Sequence, residues 1–297
     1  MNVPTKLAAF AAGLALTFGA AAGAGALLDP TDSPAADRTH GTAAKSGGHG
    51  GGHGTPAPSA STPATLSGGL SSSEDGYTLT AERTTLTPGE RSTLRLRVVG
   101  PDGRPVRAGY EVEAERELHL IVVRRDGTGF QHLHPRRGPD GTWSTPVTLS
   151  AAGSHRALAD FTIDGVRRTL GVDLQAPGTF TPTAVPVATD RAQTDGFRVQ
   201  LVSGPVRAGR ESALRFRVAR DGRPVQALQP YLGARGHLVA LRDGDLAYLH
   251  VHPDEHAPVG EIPFMAEFPS AGRYRLFLQF QTGGQVHTAP MTVEVTR

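Results

Sequence analysis

The feature that most constrains the fold of this chain is an internal duplication. The segment from Tyr77 to Gln175 and the segment from Phe197 to Arg297 carry the same signals in the same order. An Asp-Gly-Arg-Pro turn recurs in both copies, as does an Ala-Gly turn, and turn signals fall roughly every 8 to 15 residues. Short strands separated by turns at this spacing predict an all-β chain with two tandem immunoglobulin-like β-sandwich domains of about 100 residues each.

The predicted β-sandwich repeats span residues 74–175 and 197–297, and a Pro/Thr-rich linker at 176–196 joins them. The composition agrees with frequent turns, because the chain holds 37 Gly and 23 Pro. There is no Cys, so both domains must rely on core burial for stability. The lack of thiolates also excludes Cys-based zinc sites and blue-copper centres.

Two further segments precede the repeats. Residues 1–28 are predicted to be a signal peptide or a membrane anchor, because Lys6 is followed by an apolar run that ends at Leu28. A small-x-small site at Ala22-Gly23-Ala24 suits cleavage, yet the run is also long enough to span a bilayer. The sequence leaves both outcomes open. Residues 29–73 form a predicted disordered Gly/Pro/Ser/His linker. Because of the apolar segment at 1–28, the protein is expected to be extracytoplasmic, either secreted or membrane-anchored.

Each copy carries three histidines, and each of them lies 118 positions from its counterpart. They are His119, His132 and His134 in the first copy, and His237, His250 and His252 in the second. In both copies the first histidine opens an apolar run, an Asp-Gly turn follows, and the chain returns through an aromatic residue to His-x-His-Pro. The Asp-Gly pairs indicate β-hairpins with two-residue turns.

The hairpin register decides which histidines face each other. A two-residue turn at Asp243-Gly244 places His237 opposite His250, with His252 on the same face. In the first copy, Asp126-Gly127 as the turn places His119 opposite His134 and His132 opposite Ile121. Glu117 would add a carboxylate to that face, whereas Arg235 stands at the matching position of the second copy. A three-residue loop in the first hairpin would instead move His119 to the other face.

Three converging imidazoles suit Cu(II) or Zn(II). All six histidines are therefore predicted metal ligands, in two sites or in one site shared by facing hairpins, with no organic cofactor. The alternative is that the histidines are structural and bond to main-chain carbonyls. The chain would then be a non-catalytic envelope scaffold or adhesion module.

The assembled motifs read H-L-x-V, a hairpin turn, [FY]-x-H-x-H-P, and then A-G-x-[YH]-R. With them the chain resembles actinobacterial exported proteins that carry tandem YtkA-like or CopC-like immunoglobulin-type domains. The resemblance implies a β-sandwich fold, a location outside the cytoplasm and a link to copper or other heavy-metal handling. The chain departs from copper carriers in having no Met-rich run, since Met occurs only at positions 1, 265 and 291. That departure favours Cu(II) or Zn(II) over Cu(I).

Charge and motifs exclude other classes. The formal net charge is only +2 and the arginines are dispersed, which argues against nucleic acid as a partner. The sequence has no G-x-S-x-G elbow and no phosphate-binding glycine loop, so an enzyme is not expected. The predicted function is sequestration or delivery of copper or zinc in the cell envelope. The expected partners are the metal ion, an envelope protein, and the membrane if the N-terminal segment is uncleaved.

Overall fold

The computed structural model describes residues 68–226, 228–254 and 260–297. The predicted leader at 1–28 and residues 29–67 of the predicted linker lie outside the described residues. Every strand or helix assigned within these ranges is a β-strand. Within the same ranges, no helix has the length and apolar character needed to cross a membrane.

The first copy forms two antiparallel sheets from nine strands. The strands are β1 (Ser73–Glu74), β2 (Tyr77–Ala81), β3 (Arg91–Val99), β4 (His119–Arg124), β5 (Gln131–Leu133), β6 (Arg136–Arg137), β7 (Thr142–Thr148), β8 (Gly153–Ile163) and β9 (Val166–Ala176). One sheet has the order β1-β2-β3-β7-β6 and the other has the order β5-β4-β8-β9. Apart from β1, these are the A-B-E-D and C′-C-F-G orders of an immunoglobulin sandwich.

The second copy repeats this arrangement with small additions. Its strands are β10 (Arg191–Thr194), β11 (Phe197–Leu201), β12 (Val206–Arg207), β13 (Glu211–Arg220), β14 (Arg223–Pro224), β15 (His237–Arg242), β16 (Tyr248–Leu249), β17 (His252–Pro253), β18 (Glu261–Glu267), β19 (Gly272–Thr282) and β20 (Gln285–Thr296). One sheet runs β10-β11-β13-β18-β17, with β14 paired to β13, and the other runs β12-β20-β19-β15-β16. The predicted all-β class with two immunoglobulin-like sandwiches is confirmed.

Each sandwich has its own core, built from alternating residues. In β3, Leu94, Leu96 and Val98 are buried, and the Arg95 and Arg97 between them face outward. The same alternation runs along β13. These strands therefore bury one face and expose the other, as period-two patterning requires.

The strands that carry the first histidine of each copy are buried on both faces. In β4, Leu120 and Val122 enter the core of their own sandwich, whereas Ile121 and Val123 point away from it. The outward side chains of the two copies meet in a third apolar cluster, which we call the interdomain core. Its buried members are Ile121, Val123, Leu158, Val239, Leu241, Leu246, Tyr248 and Phe277. The β5-β4-β8-β9 sheet therefore packs against the sheet that contains β15 and β19.

Two other contacts hold the sandwiches together. The rings of Phe130 and Phe277 stack with centroids 4.0 Å apart and an interplanar angle of 5°. The segment at Gly68–Gly69 bonds to both copies, because Gly69 N–H donates to Thr169 C=O and Tyr248 N–H donates to Gly68 C=O. A Cβ on Gly69 would lie 2.3 Å from a methyl carbon of Leu158, so the segment requires glycine there. Both sandwiches belong to one compact unit.

Candidate metal centre

The strands of the first hairpin pair as predicted, but the loop is not the predicted two-residue turn. Arg124 N–H donates to Thr128 C=O, so the loop has three residues, and one extra residue in the returning strand restores the predicted pairing. Leu120 pairs with Leu133 and Ile121 pairs with His132. The loop is fixed by the buried Arg124–Asp126 ion pair, in which Arg124 Nε donates to Asp126 Oδ1 over 3.0 Å. This register puts His119 and His132 on the outward face of the sheet with Ile121. The first two candidate ligands therefore point into the space between the sandwiches.

The predicted register of the second hairpin is wrong by two residues. Leu241 pairs with Tyr248, and Arg242 N–H donates to Ala247 C=O, so four residues form the loop instead of Asp243-Gly244 alone. The cause is Leu246, which has a φ of 62° and is buried in the interdomain core. A two-residue turn would leave this apolar side chain without that burial. A shift of two keeps every side chain on its face, so His237 still points between the sandwiches.

His119, His132 and His134 form one cluster, which we call the triad. One ring nitrogen from each can be chosen so that all three lie within 4.8 Å of one another, the only such group of His, Asp or Glu found among the described residues. His119 Nδ1 lies 3.0 Å from His132 Nε2. The ring of His134 stands edge-on to both at centroid distances of 5.2 and 4.7 Å, and its Nε2 is buried without a hydrogen-bond partner.

In two triad rings, the nitrogen that points away from the other ring, here called the outer nitrogen, faces an acceptor oxygen. His119 Nε2 is 2.9 Å from the Glu113 carbonyl oxygen, and His132 Nδ1 is 2.6 Å from Oε1 of Gln279 in the second copy. With the Gln279 amide in this orientation, both oxygens only accept, and each outer nitrogen then carries the proton. The inner nitrogens, His119 Nδ1 and His132 Nε2, then present two lone pairs to each other across 3.0 Å. A cation between them converts this repulsion into coordination.

Burial keeps these imidazoles neutral. It lowers the pKa of His134 to about 4 and that of His237 to about 3. The pKa of His132 lies well below its usual range, because burial is reinforced by the neighbouring imidazoles of His237 and His134. Burial also lowers the pKa of His119, against the opposing effect of the hydrogen bond to Glu113. Neutral imidazole is the form that binds metal ions, so little proton competition is expected near pH 7.

His237, a residue of the second copy, packs against the triad. Its ring stacks on His119 and His132 at centroid distances of 5.6 and 4.7 Å, with interplanar angles of 10° and 26°. Stacked rings direct their lone pairs along parallel planes, so His237 as placed covers two triad rings and does not converge with them. Its Nε2 is buried without a partner.

The remaining two candidates line a separate cleft of about 590 Å³ that also reaches His237. The rings of His250 and His252 lie 4.4 Å apart, and His252 is exposed. His250 Nε2 accepts a hydrogen bond of 2.6 Å from Arg167 of the first copy. The guanidinium of Arg167 is in turn paired with the buried carboxylate of Asp160. Metal binding by the six histidines remains a prediction.

Sequence reasoning missed Gln279, Asp160 and Arg167, each of which acts across the interface between the copies. The signal available for Asp160 was a carboxylate inside the apolar run Ala157–Phe161. The carboxylate predicted beside the triad, that of Glu117, instead accepts from Arg137 over 2.8 Å. Because this ion pair occupies Glu117, the triad has no carboxylate among its close ligand atoms.

A family model described as "Domain of unknown function (DUF8832)" matches residues 72–178 and again residues 192–297. Comparison with curated proteins finds no match. Among solved structures, the Escherichia coli adhesin FdeC is 12% identical over 76% of this chain, with a TM-score of 0.25, and the match spans 65% of the adhesin chain.

Two other solved structures have similar values. The bacterial integrin-binding protein invasin is 17% identical, with 74% of this chain and 40% of that chain covered and a TM-score of 0.23. A Salmonella alpha-2-macroglobulin mutant is 13% identical, with 78% and 15% covered and a TM-score of 0.26. At this level of identity the likeness concerns the fold alone.

Proposed function

We propose that this chain, which belongs to the DUF8832 family as a tandem pair of its domains, is a non-catalytic, extracytoplasmic module. The module binds one divalent transition-metal ion at His119, His132 and His134. The supporting observation is the opposed pair of imidazole lone pairs at 3.0 Å, each fixed by an acceptor on the far side of its ring. The location rests on the apolar N-terminal segment.

The geometry suits a small ion with nitrogen ligands. Two imidazole nitrogens bound tetrahedrally to zinc at about 2.0–2.1 Å lie about 3.3 Å apart. His119 Nδ1 and His132 Nε2 would therefore separate by only a few tenths of an ångström to admit the ion. Bound histidines usually donate their other N–H to an oxygen, as these two do. The all-imidazole donor set favours Cu(II) or Zn(II), and sequestration or delivery of that ion is the activity we propose.

Metal titration of the triad variants tests the proposal. We expect the full-length chain, with the upstream His40, His49 and His53 replaced by Ser to remove background binding, to take up one Cu(II) or Zn(II) by calorimetry. His132→Ala should weaken that binding by about 100-fold or more, because the loss of an outer-sphere partner alone typically costs 10–100-fold.

The matched control is His252→Ala, which removes an exposed histidine outside the triad. This variant should keep the parent affinity. Equal and weak uptake by the parent, the His132→Ala variant and the control would refute the proposed metal site.

Gln279 is expected to set the strength of the site without touching the ion. Gln279→Leu removes the oxygen that holds His132 Nδ1–H, so the ring loses both its orientation and part of its basicity. We expect affinity for Zn(II) to fall about 10–100-fold. Gln279→Glu is the control, because it retains an acceptor oxygen and should bind at least as tightly as the parent. Equal affinities in the Leu and Glu variants would contradict this role.

A second candidate function is an envelope scaffold or adhesion module with structural histidines. The observation that favours it is the same bond from His132 to Gln279, which ties the two sandwiches together without any ion. A fixed angle between tandem domains is what a scaffold needs. In this case His132→Ala lowers the melting temperature equally in the presence of Zn(II) and of chelator. A melting temperature of the parent that rises with Zn(II), and fails to rise in His132→Ala, would instead support the metal site.

A further inference from the structure

The two copies place matched residues on the two sides of their interface, and the residue types differ at several of these positions. In the strand ladders His119 lies opposite Asp160, and His237 lies opposite Gln279. Asp160 and Gln279 each face a threonine on the next strand, Thr169 and Thr288 respectively. Gln279 is therefore the counterpart of Asp160.

Gln279 makes a direct bond across the interface. Its Oε1 accepts from His132 of the other copy, and its Nε2 donates to Thr288 Oγ1 over 3.3 Å. The same arrangement on the other half would join Thr169, Asp160 and His250. Only the first of these bonds is present, since Thr169 Oγ1 donates to Asp160 Oδ1 over 2.9 Å.

A guanidinium stands between Asp160 and His250. Arg167 Nε donates to Asp160 Oδ1 over 3.0 Å, and Arg167 NH1 donates to His250 Nε2 over 2.6 Å. The counterpart of Arg167 two residues before the matched threonine is Val286, which offers no charge. The two halves thus differ at these matched positions, with Asp160 and Arg167 against Gln279 and Val286. Tyr248, whose hydroxyl bonds to Asp160, has Phe130 as its counterpart.

We propose that Arg167 occupies the cation position of a second histidine site and thereby limits the module to one metal ion. The site would consist of His237, His250 and His252, which all line the cleft that Arg167 also lines. With Arg167 in place, their ring nitrogens do not all lie within 4.8 Å of one another, as those of the triad do. His237 Nε2 and His250 Nδ1 are buried there without partners. The guanidinium donates to the imidazole nitrogen that would otherwise ligate an ion, and it occupies the space beside that nitrogen. This inference rests on the proposed function, because it takes the triad as the site that remains open.

The test replaces Asp160 and Arg167 by the residue types found at their counterparts, Gln279 and Val286. In the background without His40, His49 and His53, the double variant Asp160→Gln/Arg167→Val reproduces the Gln279/Val286 pair and leaves no unpaired buried charge. Zinc binding by calorimetry should rise from one ion per chain in the parent to two in the double variant. Adding His250→Ala to the double variant should return the value to one.

Arg167→Lys is the matched control, because it keeps a cation in the cleft and should stay at one ion. A melting curve in chelator shows that each variant is folded before titration. A folded double variant that binds one ion, beside a parent that binds one, overturns the inference and leaves the proposed function standing. A parent that binds none refutes the proposed function. In that event, one ion bound by the double variant and lost with His250→Ala would still assign the blocking role to Arg167.

Discussion

Val239→Asp is expected to separate the two sandwiches. Val239 is fully buried in the interdomain core, among hydrophobic side chains. Leaving a charge uncompensated in such a place costs roughly 3–5 kcal/mol, and opening the interface is the cheapest way to hydrate it. Each sandwich retains its own core, so we expect calorimetry to show two thermal transitions where the parent shows one. The radius of gyration from X-ray scattering should increase.

Separation should also weaken the metal site, because the bond between His132 and Gln279 crosses the same interface. The control is Val187→Asp, which changes a side chain that is 86% exposed and should alter stability by no more than about 0.5 kcal/mol. A Val239→Asp protein with one unchanged transition and parental affinity would show that the interdomain core does not hold the domains together.

The repeat and the strands could be read from the sequence because both depend on local spacing. Turn residues and period-two alternation set the strands. The predicted pairing of Ile121 with His132 is present because one extra residue in the returning strand offsets the three-residue loop. The second hairpin defeated the same reasoning. Its Asp-Gly signal is equally strong, but burial of Leu246 against the other copy selects a longer loop. A tertiary contact between domains outweighed the preference of the turn.

The candidate site was predictable as a set of residue types and not as an arrangement. Three histidines on one face follow from the hairpin pattern, whereas the partners that orient them come from another domain. Gln279 lies well beyond His132 in the chain, and nothing in the spacing of either copy pairs them. The difference between Asp160 and Gln279 at matched positions gives the two halves different chemistry. The sequence alone does not show this difference in chemistry, because it depends on which histidines of the other copy the packed sheets bring near Asp160 and Gln279.

Acid is expected to destabilise the metal-free protein before its carboxylates titrate. Burial lowers the folded-state pKa values of His134 and His250 to about 4 and that of His237 to about 3, whereas an unfolded histidine titrates near 6.5. Between about pH 6.5 and 4 the unfolded chain therefore binds protons that the folded chain does not. The stabilising contribution is complete above about pH 6.5 and is lost as the pH falls. Each such imidazole adds a slope of about 1.4 kcal/mol per pH unit.

Urea unfolding in chelator at several pH values measures this slope. Burial raises the pKa of Asp160, but the hydrogen bonds and the positive charge of Arg167 together lower it below its ordinary value of 3.8. Asp160 therefore affects the slope only below that value, outside the window in which the buried histidines act. His134→Gln should reduce the slope between pH 6.5 and 4 by about one proton, because it removes one buried imidazole with an unbonded Nε2. The parent and His134→Gln should then converge in relative stability as the pH falls toward 4. A free energy of unfolding that stays constant from pH 7 to 4.5 would mean that these rings are solvated in the folded protein, and the lone-pair geometry of the triad would lose its basis.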